Sequence, residues 1–420
     1  MPKSPNAVRP ETKGPVGGRA RATLLLLGPA FVAAIAYVDP GNVAANLTAG
    51  ARYGYMLLWV LIVANAIAVL VQYQSAKVGL VTGRSLPELL GDRLKPWPRR
   101  LYWLQAELVA AATDIAEVIG GAIALYLLFG VPLLAGGVIV GVISMGLLML
   151  QSTRGQRPFE VVIIGLLAVI VVGFVTGLVV NGLDWGAALG GVVPRFENTD
   201  SVLLATSMLG ATVMPHVIYL HSALARDRHG VSDDPVRIRS LLRATKWDVG
   251  AALLIAGAVN ISMLLLAAAA LRGVDGTDTI EGAHAAIVAA LGPGIGVVFA
   301  IGLLASGLAS TSVGTYAGSA IMGGLLKIKV PLIVRRLVTL IPALIILGVG
   351  FDPTEALVLS QVVLSFGIPF ALIPLVAIAS SRKRMGEFVN ATWLKVAGWV
   401  SAVAITAINI LLLVLVATGT

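Results

Sequence analysis

The chain has no cysteine, only four histidines, and charged residues at 12% of its 420 positions, about half the share of an ordinary soluble domain. Without cysteine there is no disulfide, zinc ribbon or thiolate nucleophile, and cysteine usage says nothing of the redox compartment. So few charges cannot cover a soluble protein of 43.4 kDa, which excludes a cytosolic enzyme, a nucleic-acid-binding domain and a disordered chain. Neither His-Glu-x-x-His nor Gly-x-Ser-x-Gly occurs, and Gly83-Arg84-Ser85 lies in a loop with no buried base nearby in sequence, so an intramembrane hydrolase has no catalytic motif.

What the sequence does have is apolar length. Hydrophobic residues make up 58% and the mean hydropathy is +0.93. They gather in blocks of about 17–25 residues, enough to span a bilayer. The blocks fall at 24–50, 55–76, 101–127, 132–151, 159–180, 201–225, 247–271, 294–325, 333–350, 354–379 and 393–417, which predicts an all-α integral membrane protein with 11 transmembrane helices. Residues 1–23, rich in Pro, Gly and Arg, read as a flexible cytoplasmic arm before a single transmembrane domain, 24–417. Ala34-Ile35-Ala36 mimics a signal-peptidase site, but cleavage there would remove half of the first span.

The net charge of +9 belongs to topology. Of the 30 Lys and Arg residues, 27 fall in the N-terminal arm and every second loop, while the alternate loops hold Arg52, Arg195 and Arg272. This bias puts the N-terminus in the cytoplasm and the C-terminus outside.

Two spans are interrupted where a membrane helix must satisfy its own backbone. The first contains Ala36-Tyr37-Val38-Asp39-Pro40-Gly41-Asn42, and the sixth Gly210-Ala211-Thr212-Val213-Met214-Pro215-His216. Proline has no N–H, so Pro40 releases the carbonyl of Ala36 and Pro215 that of Ala211. Breaks in spans one and six predict a five-plus-five inverted repeat, about 24–180 and 201–379, with the eleventh span (about 393–417) an addition and the substrate held between the breaks. The donors there are the Asp39 carboxylate, the Asn42 side-chain oxygen, the Met214 thioether and the Ala36 and Ala211 carbonyls. One buried carboxylate calls for a cation. A thioether turns the choice from Mg²⁺ or Ca²⁺ toward a softer divalent ion such as Mn²⁺ or Fe²⁺, with Cd²⁺ as a guest. Gln361, a lone amide in the tenth span, reads either as an interhelical hydrogen bond or as one more ligand.

Glu107, Asp114 and Glu117 lie in the third span. At 100° per residue they fall within about 80° of one another, one acidic stripe. Carboxylates at this depth mark proton relays. His216 is placed to join the stripe to the breaks, and His221, about 140° around the helix from it, less so. A structural reading pairs the acids with Arg335 and Arg336 of the ninth span, and an ion-pair network of that kind can also conduct protons.

Asp39-Pro40-Gly41-Asn42 taken with Met214-Pro215-His216 resembles the paired signature of the Nramp family, proton-coupled divalent metal transporters. The run from Ser306-Gly307-Leu308 through Gly314-Thr315-Tyr316-Ala317-Gly318 resembles that family's eighth-span motif, and the likeness covers residues 24–417. It implies a LeuT-like fold that alternates between outward- and inward-open states. Metal contacts are implied at Asp39, Asn42, Met214, Ala36 and Ala211, with added weight for Gln361. A proton path is implied through Asp39, His216, Glu117 and Asp114, beside Glu107, Arg335 and Arg336. Chain length is similar to that of the bacterial manganese-transporting branch, which implies a bacterial plasma membrane. Val217 stands where many eukaryotic relatives have Asn, which weakens inference from those relatives. The expected partners are the metal substrate, protons and lipid, with no cofactor, nucleic acid or obligatory protein partner. A Na⁺-coupled amino-acid symporter is the alternative on the same fold, but Asp39 would repel its substrate's carboxylate.

Overall fold

The computed structural model describes residues 29–154, 184–328 and 330–419, together with Gly165. The expected arm at 1–23 and, but for Gly165, the fifth span at 159–180 lie outside the described residues. Among those described there are helices and no strands. Helices α1 (Pro29–Ala36) and α2 (Pro40–Tyr53) make the first span and α3 (Leu58–Thr82) the second. The short α4 (Leu86–Arg93) leads into α5 (Pro96–Phe129) and α6 (Leu133–Arg154), the third and fourth. Then α7 (Thr199–Thr212) and α8 (Pro215–His229) make the sixth, α9 (Pro235–Ala270) the seventh, and α10 (Ile280–Leu291) precedes α11 (Pro293–Leu326), the eighth. The ninth to eleventh are α12 (Leu332–Gly348), α13 (Pro353–Ala379) and α14 (Thr392–Thr418). Seven stretches of the described residues are long and apolar enough to cross a membrane unaided. The 17-residue α12 covers the expected ninth span to within two residues at each end.

Both breaks form where the prolines stand. Asp39 is extended (φ −80°, ψ 168°) and caps α2, its carboxylate accepting from Asn42 N–H while Pro40 fills the first helical position, where no N–H is needed. In the sixth span Val213 leaves the helical region (φ −111°, ψ 53°) and Pro215 restarts the helix as α8. The packing then repeats across the two halves. The second half of the first span, α2, lies along α9; the second half of the sixth, α8, lies along α3. Swapping the halves exchanges those two interfaces, as an inverted repeat requires. The most extensive interface joins α5 to α11, the third members of the two halves.

Side chains close the backbone bonds that the first break opens. Asn260 Nδ2 of α9 donates to the Tyr37 carbonyl at 2.8 Å, and the Ser306 hydroxyl of α11 donates to the Val38 carbonyl. At the N-terminus of α1, Ala30 N–H donates to Asp248 of α9 at 3.0 Å. At the end of the molecule opposite the basic loops, Arg52 of α2 pairs with Asp200 of α7 at 3.1 Å and with Asp278 at 3.3 Å. A cavity of about 350 Å³ lies beside this clasp, lined by Thr48, Asp200, Asp278, Asp352 and Glu355 among others. At the basic end, α4 docks on α11 so closely that a β-carbon on Gly91 would meet the Gly324 carbonyl at 2.3 Å. Lys327 and Arg84 both pair with Asp92 there.

Candidate functional site

The structure brings the two breaks together. Asn42 Nδ2 donates to Asp39 Oδ1 at 2.9 Å within the first break and to the Ala211 carbonyl at 2.9 Å in the second. Both partners accept, so they fix the amide with its nitrogen toward them and Oδ1 away. Gln361 of α13 stands against both. A β-carbon on Gly41 would lie 1.9 Å from Gln361 Nε2, and one on Gly210 would lie 1.9 Å from the Gln361 carbonyl oxygen. At Gly210 the atoms met are backbone, so the close approach of α13 requires glycine there; at Gly41 a β-carbon would displace only the Gln361 side chain. Gly120 of α5 likewise makes room for Pro40, and Gly367 of α13 for Pro215.

Asp39, Asn42, Ala211, Met214 and Gln361 have no solvent exposure, and Ala36 has 2%. Asp39 Oδ1 accepts from the backbone and side chain of Asn42, at 2.7 and 2.9 Å, and Oδ2 has no hydrogen-bond donor. Asn42 Oδ1, Gln361 Oε1 and Thr212 Oγ1 are buried and unbonded as well. Four buried oxygens without donors, one of them a carboxylate's, make the region of the two breaks electronegative. Two helix C-termini, those of α1 and α7, add their negative dipole ends. Thr212 was not anticipated, although it stands beside Ala211 in the quoted motif. The Ala211 carbonyl, expected to be free, is held by Asn42.

The acidic stripe divides between two arginines of α12. Glu107 pairs with Arg335 at 2.6 Å. Asp114 pairs with Arg336 at 3.2 Å, and Glu117 lies 3.9 Å from the same guanidinium. Arg336 is fully buried and also donates through Nε to Ser144 of α6 at 3.0 Å and through Nη2 to Thr311 of α11 at 3.3 Å. The eighth-span motif now has a physical account. Gly307, Thr311, Gly314 and Gly318 form one row on α11 facing α5 and α12. A β-carbon on Gly314 would sit 3.1 Å from Glu117 and 3.3 Å from Asp114, and one on Gly318 would strike Arg335 at 1.9 Å.

The two histidines separate. His216 Nδ1 is 3.3 Å from the Thr113 hydroxyl, the residue next to Asp114, and makes no direct bond to the acids. His221 Nδ1 instead bonds Gln72 Oε1 at 2.8 Å, and Gln72 Nε2 donates to the Tyr37 hydroxyl. That second chain joins α3 and α8 to the first break. Its sequence signal was Gln72, an amide within the apolar α3. No group of three or more His, Cys, Asp or Glu side chains that could hold a metal occurs among the described residues. Any ion here therefore depends on neutral donors around one carboxylate.

The family model described as natural resistance-associated macrophage protein-like matches residues 30–415. The chain belongs to the Nramp family. It is a membrane transporter of metal ions and not an enzyme. This Nramp protein is 60% identical over 397 residues to the divalent metal cation transporter MntH of Mycobacterium tuberculosis, covering 94% of this chain and 92% of the relative. MntH of Bacillus subtilis is 47% identical over 412 residues, covering 97% and 96%. Among solved structures, the manganese transporter of Eremococcus coleocola superposes with a TM-score of 0.85 at 30% identity, over 96% of this chain and 88% of that one. MhsT in complex with L-phenylalanine superposes with a TM-score of 0.64 at 14% identity, over 90% and 97%, which shows a shared LeuT-like fold alone.

Proposed function

We propose that this Nramp protein imports divalent transition metal ions, Mn²⁺ foremost and also Fe²⁺ and Cd²⁺, together with protons and by alternating access. The ion is held by Asp39, Asn42, Met214, Gln361 and the Ala36 and Ala211 carbonyls. The observation that carries the reading is the joining of the two breaks by Asn42 and Gln361 around Asp39, whose second oxygen has no donor. Relatives named as a divalent metal cation transporter and a manganese transporter support the choice of cargo. A buried carboxylate beside a thioether favours a dehydrated transition metal over Mg²⁺ or Ca²⁺. Protons pass among Asp39, His216, Glu117 and Asp114, with Glu107, Arg335 and Arg336 setting the field along that route.

In this reading the basic loops face the cytoplasm of a bacterium, and the cavity beside Arg52 opens outward. Residues 24–417 act as one domain, with repeats at about 24–180 and 201–379 and the helix at about 393–417 outside them. The chain needs neither cofactor nor obligatory protein partner. The amino-acid symporter is disfavoured, because Asp39 itself caps α2 and leaves that helix N-terminus closed to a substrate carboxylate. The test is Mn²⁺ uptake into proteoliposomes with and without an imposed pH gradient and potential. Expected are Mn²⁺ uptake with acidification of the lumen, loss of uptake in Asp39→Asn, and a gain of Ca²⁺ or Mg²⁺ uptake with weaker Cd²⁺ uptake in Met214→Ala. Robust Mn²⁺ uptake by Asp39→Asn would sink the site, and unchanged selectivity in Met214→Ala would remove the role given to sulfur.

A further inference from the structure

Helix α13 carries two internal prolines, Pro369 and Pro374. Each lacks the N–H that would serve the carbonyl four residues earlier, so Pro369 releases Ser365 and Pro374 releases Phe370. Neither carbonyl is left open. The Tyr102 hydroxyl of α5 donates to Phe370 O. Asn409 Nδ2 of α14 donates to Ser365 O at 2.9 Å, and the Ser365 hydroxyl donates back to Asn409 Oδ1 at 2.8 Å. One amide thus closes a two-bond clasp on a proline joint. Asn409 is 3% exposed and is the one polar side chain between Ala407 and Ala417 of a helix that lies outside the paired repeats.

The joint lies one turn from Gln361, on the same face of α13. The helix of the second break rests on that turn, since a β-carbon on Gly210 would strike Gln361 O at 1.9 Å and Ser365 N at 2.8 Å. We propose that Asn409 is a positioning residue for metal transport. It fixes the bend of α13 at Pro369 and so holds Gln361 across the two breaks. This rests on the reading of Gln361 as a metal ligand. Asparagine suits the task because it supplies a donor for the carbonyl and an acceptor for the hydroxyl at once. An apolar helix in lipid gains little by keeping such a side chain, whereas a carbonyl without a donor is strongly disfavoured there.

A plain interhelical bond would serve only to hold α14, and Pro369 separates the two roles. Pro369→Ala restores an N–H at 369 and gives Ser365 O its helical partner, which makes Asn409 dispensable for the bend but not for attachment of α14. The test compares Mn²⁺ uptake kinetics of Asn409→Leu, Ser365→Ala, Pro369→Ala and the Pro369→Ala/Asn409→Leu pair in proteoliposomes. Asn409→Leu keeps the branching and the heavy-atom count of the side chain and suits lipid, so it assembles. Its KM is expected to rise about tenfold with Vmax changed less than about threefold, the order of one lost buried hydrogen bond. Ser365→Ala is expected to change KM less than about twofold, because the backbone carbonyl stays bound. In the Pro369→Ala background Asn409→Leu is expected to cost less than about twofold. An unchanged KM in Asn409→Leu, or an equal loss in both backgrounds, overturns the proposal. Gln361→Ala run in parallel tests the underlying reading: an unaltered KM there removes Gln361 as a ligand and leaves the clasp to be judged by distance. Spin labels on cysteines at Leu359 of α13 and Leu203 of α7 report it in this cysteine-free chain. The distance is expected to shift or broaden in Asn409→Leu and to recover in the pair, and a distance that does not move refutes the clasp.

Discussion

Replacing Arg336 with leucine tests how the acidic stripe is held at membrane depth. The guanidinium is fully buried, lies 3.2 Å from Asp114 and 3.9 Å from Glu117, and also bonds Ser144 and Thr311. At an effective dielectric of about 20, those two distances correspond to gross attractions of about 5 and about 4 kcal/mol. Dehydrating the guanidinium and the carboxylates offsets most of that, so the pair contributes little net stability against an apolar substitute. Removing only the cation is different, because it leaves two carboxylates buried without compensation. Arg336→Leu is therefore expected to lose about 3–5 kcal/mol, whereas Arg336→Leu/Asp114→Leu should regain at least half of it. Arg336→Lys keeps the charge but not the planar fork that reaches α5, α6 and α11 together, and should also recover only part. Thermal unfolding in detergent ranks the four proteins. Arg336→Leu unfolding within about 1 °C of the parent, or the double variant unfolding below the single, would refute the reasoning, since a 1 kcal/mol loss shifts Tm by about 2–4 °C even in a domain of 150–250 residues.

Other substitutions probe the breaks and the basic end. Gly41→Ala puts a β-carbon 1.9 Å from the Gln361 amide, a side chain able to swing away, so the protein should fold with weaker metal affinity, read as a raised KM. Gly210→Ala meets backbone instead, the Gln361 carbonyl at 1.9 Å, and should cost about 3 kcal/mol or more, read as a lower Tm. Lys327 is the one non-glycine residue with positive φ among the described residues, at 60°. Glycine there relieves about 1 kcal/mol of left-handed strain and gives up an exposed ion pair worth about 0–1 kcal/mol, so Lys327→Gly should be near neutral and Lys327→Ala less stable; a Tm for the glycine variant below that of the alanine variant contradicts this. Hydrogen bonds from Arg84, and then Lys327, hold the Asp92 carboxyl below the usual carboxylate range. A depressed acid adds stability above its unfolded value and loses it as pH falls, so Asp92→Asn should lower Tm by a constant amount at pH 5–8. The difference should close below about pH 4, and a difference that grows there would contradict the pairing.

What was legible in the sequence was whatever violated the rules of a membrane helix. Asp39-Pro40-Gly41-Asn42 and Met214-Pro215-His216 stand out because a bilayer offers no partner for the backbone they disturb, and both breaks fall within a residue or two of the expected places. The stripe of Glu107, Asp114 and Glu117 followed from helical spacing, and its pairing with Arg335 and Arg336 from the place of those two residues at the opening of the ninth span. Contacts set by rotation between helices were not legible. Helical spacing does not decide that His216 meets Thr113 while His221 turns to Gln72, or that Asn42 turns its nitrogen to Ala211. The glycines of α11 were visible as a motif, but their purpose needed the neighbours: Gly314 leaves room for two carboxylates and Gly318 for a guanidinium.

The acid of the first break and those of the α5 stripe differ in compensation, and in the proposed reading that difference separates the metal site from its surroundings. Glu107 and Asp114 each have a guanidinium within 3.2 Å, so their charge is met by the protein itself in every state that keeps those helices together. Asp39 has no ion pair among the described residues, only the N–H groups of Asn42 on one oxygen. A carboxylate so placed is costly unless a proton or a cation joins it. Permanent pairing with an arginine would lower that cost and also close the site, because the arginine would compete with the cargo. In the proposed reading the undercompensated Asp39 stands where the ion arrives and leaves, and Glu107 with Arg335 stands apart from the ion and sets a field. Moving the compensation should move the function: a cation brought to Asp39, as Gly41→Lys would attempt, should abolish metal binding even where the helices still assemble.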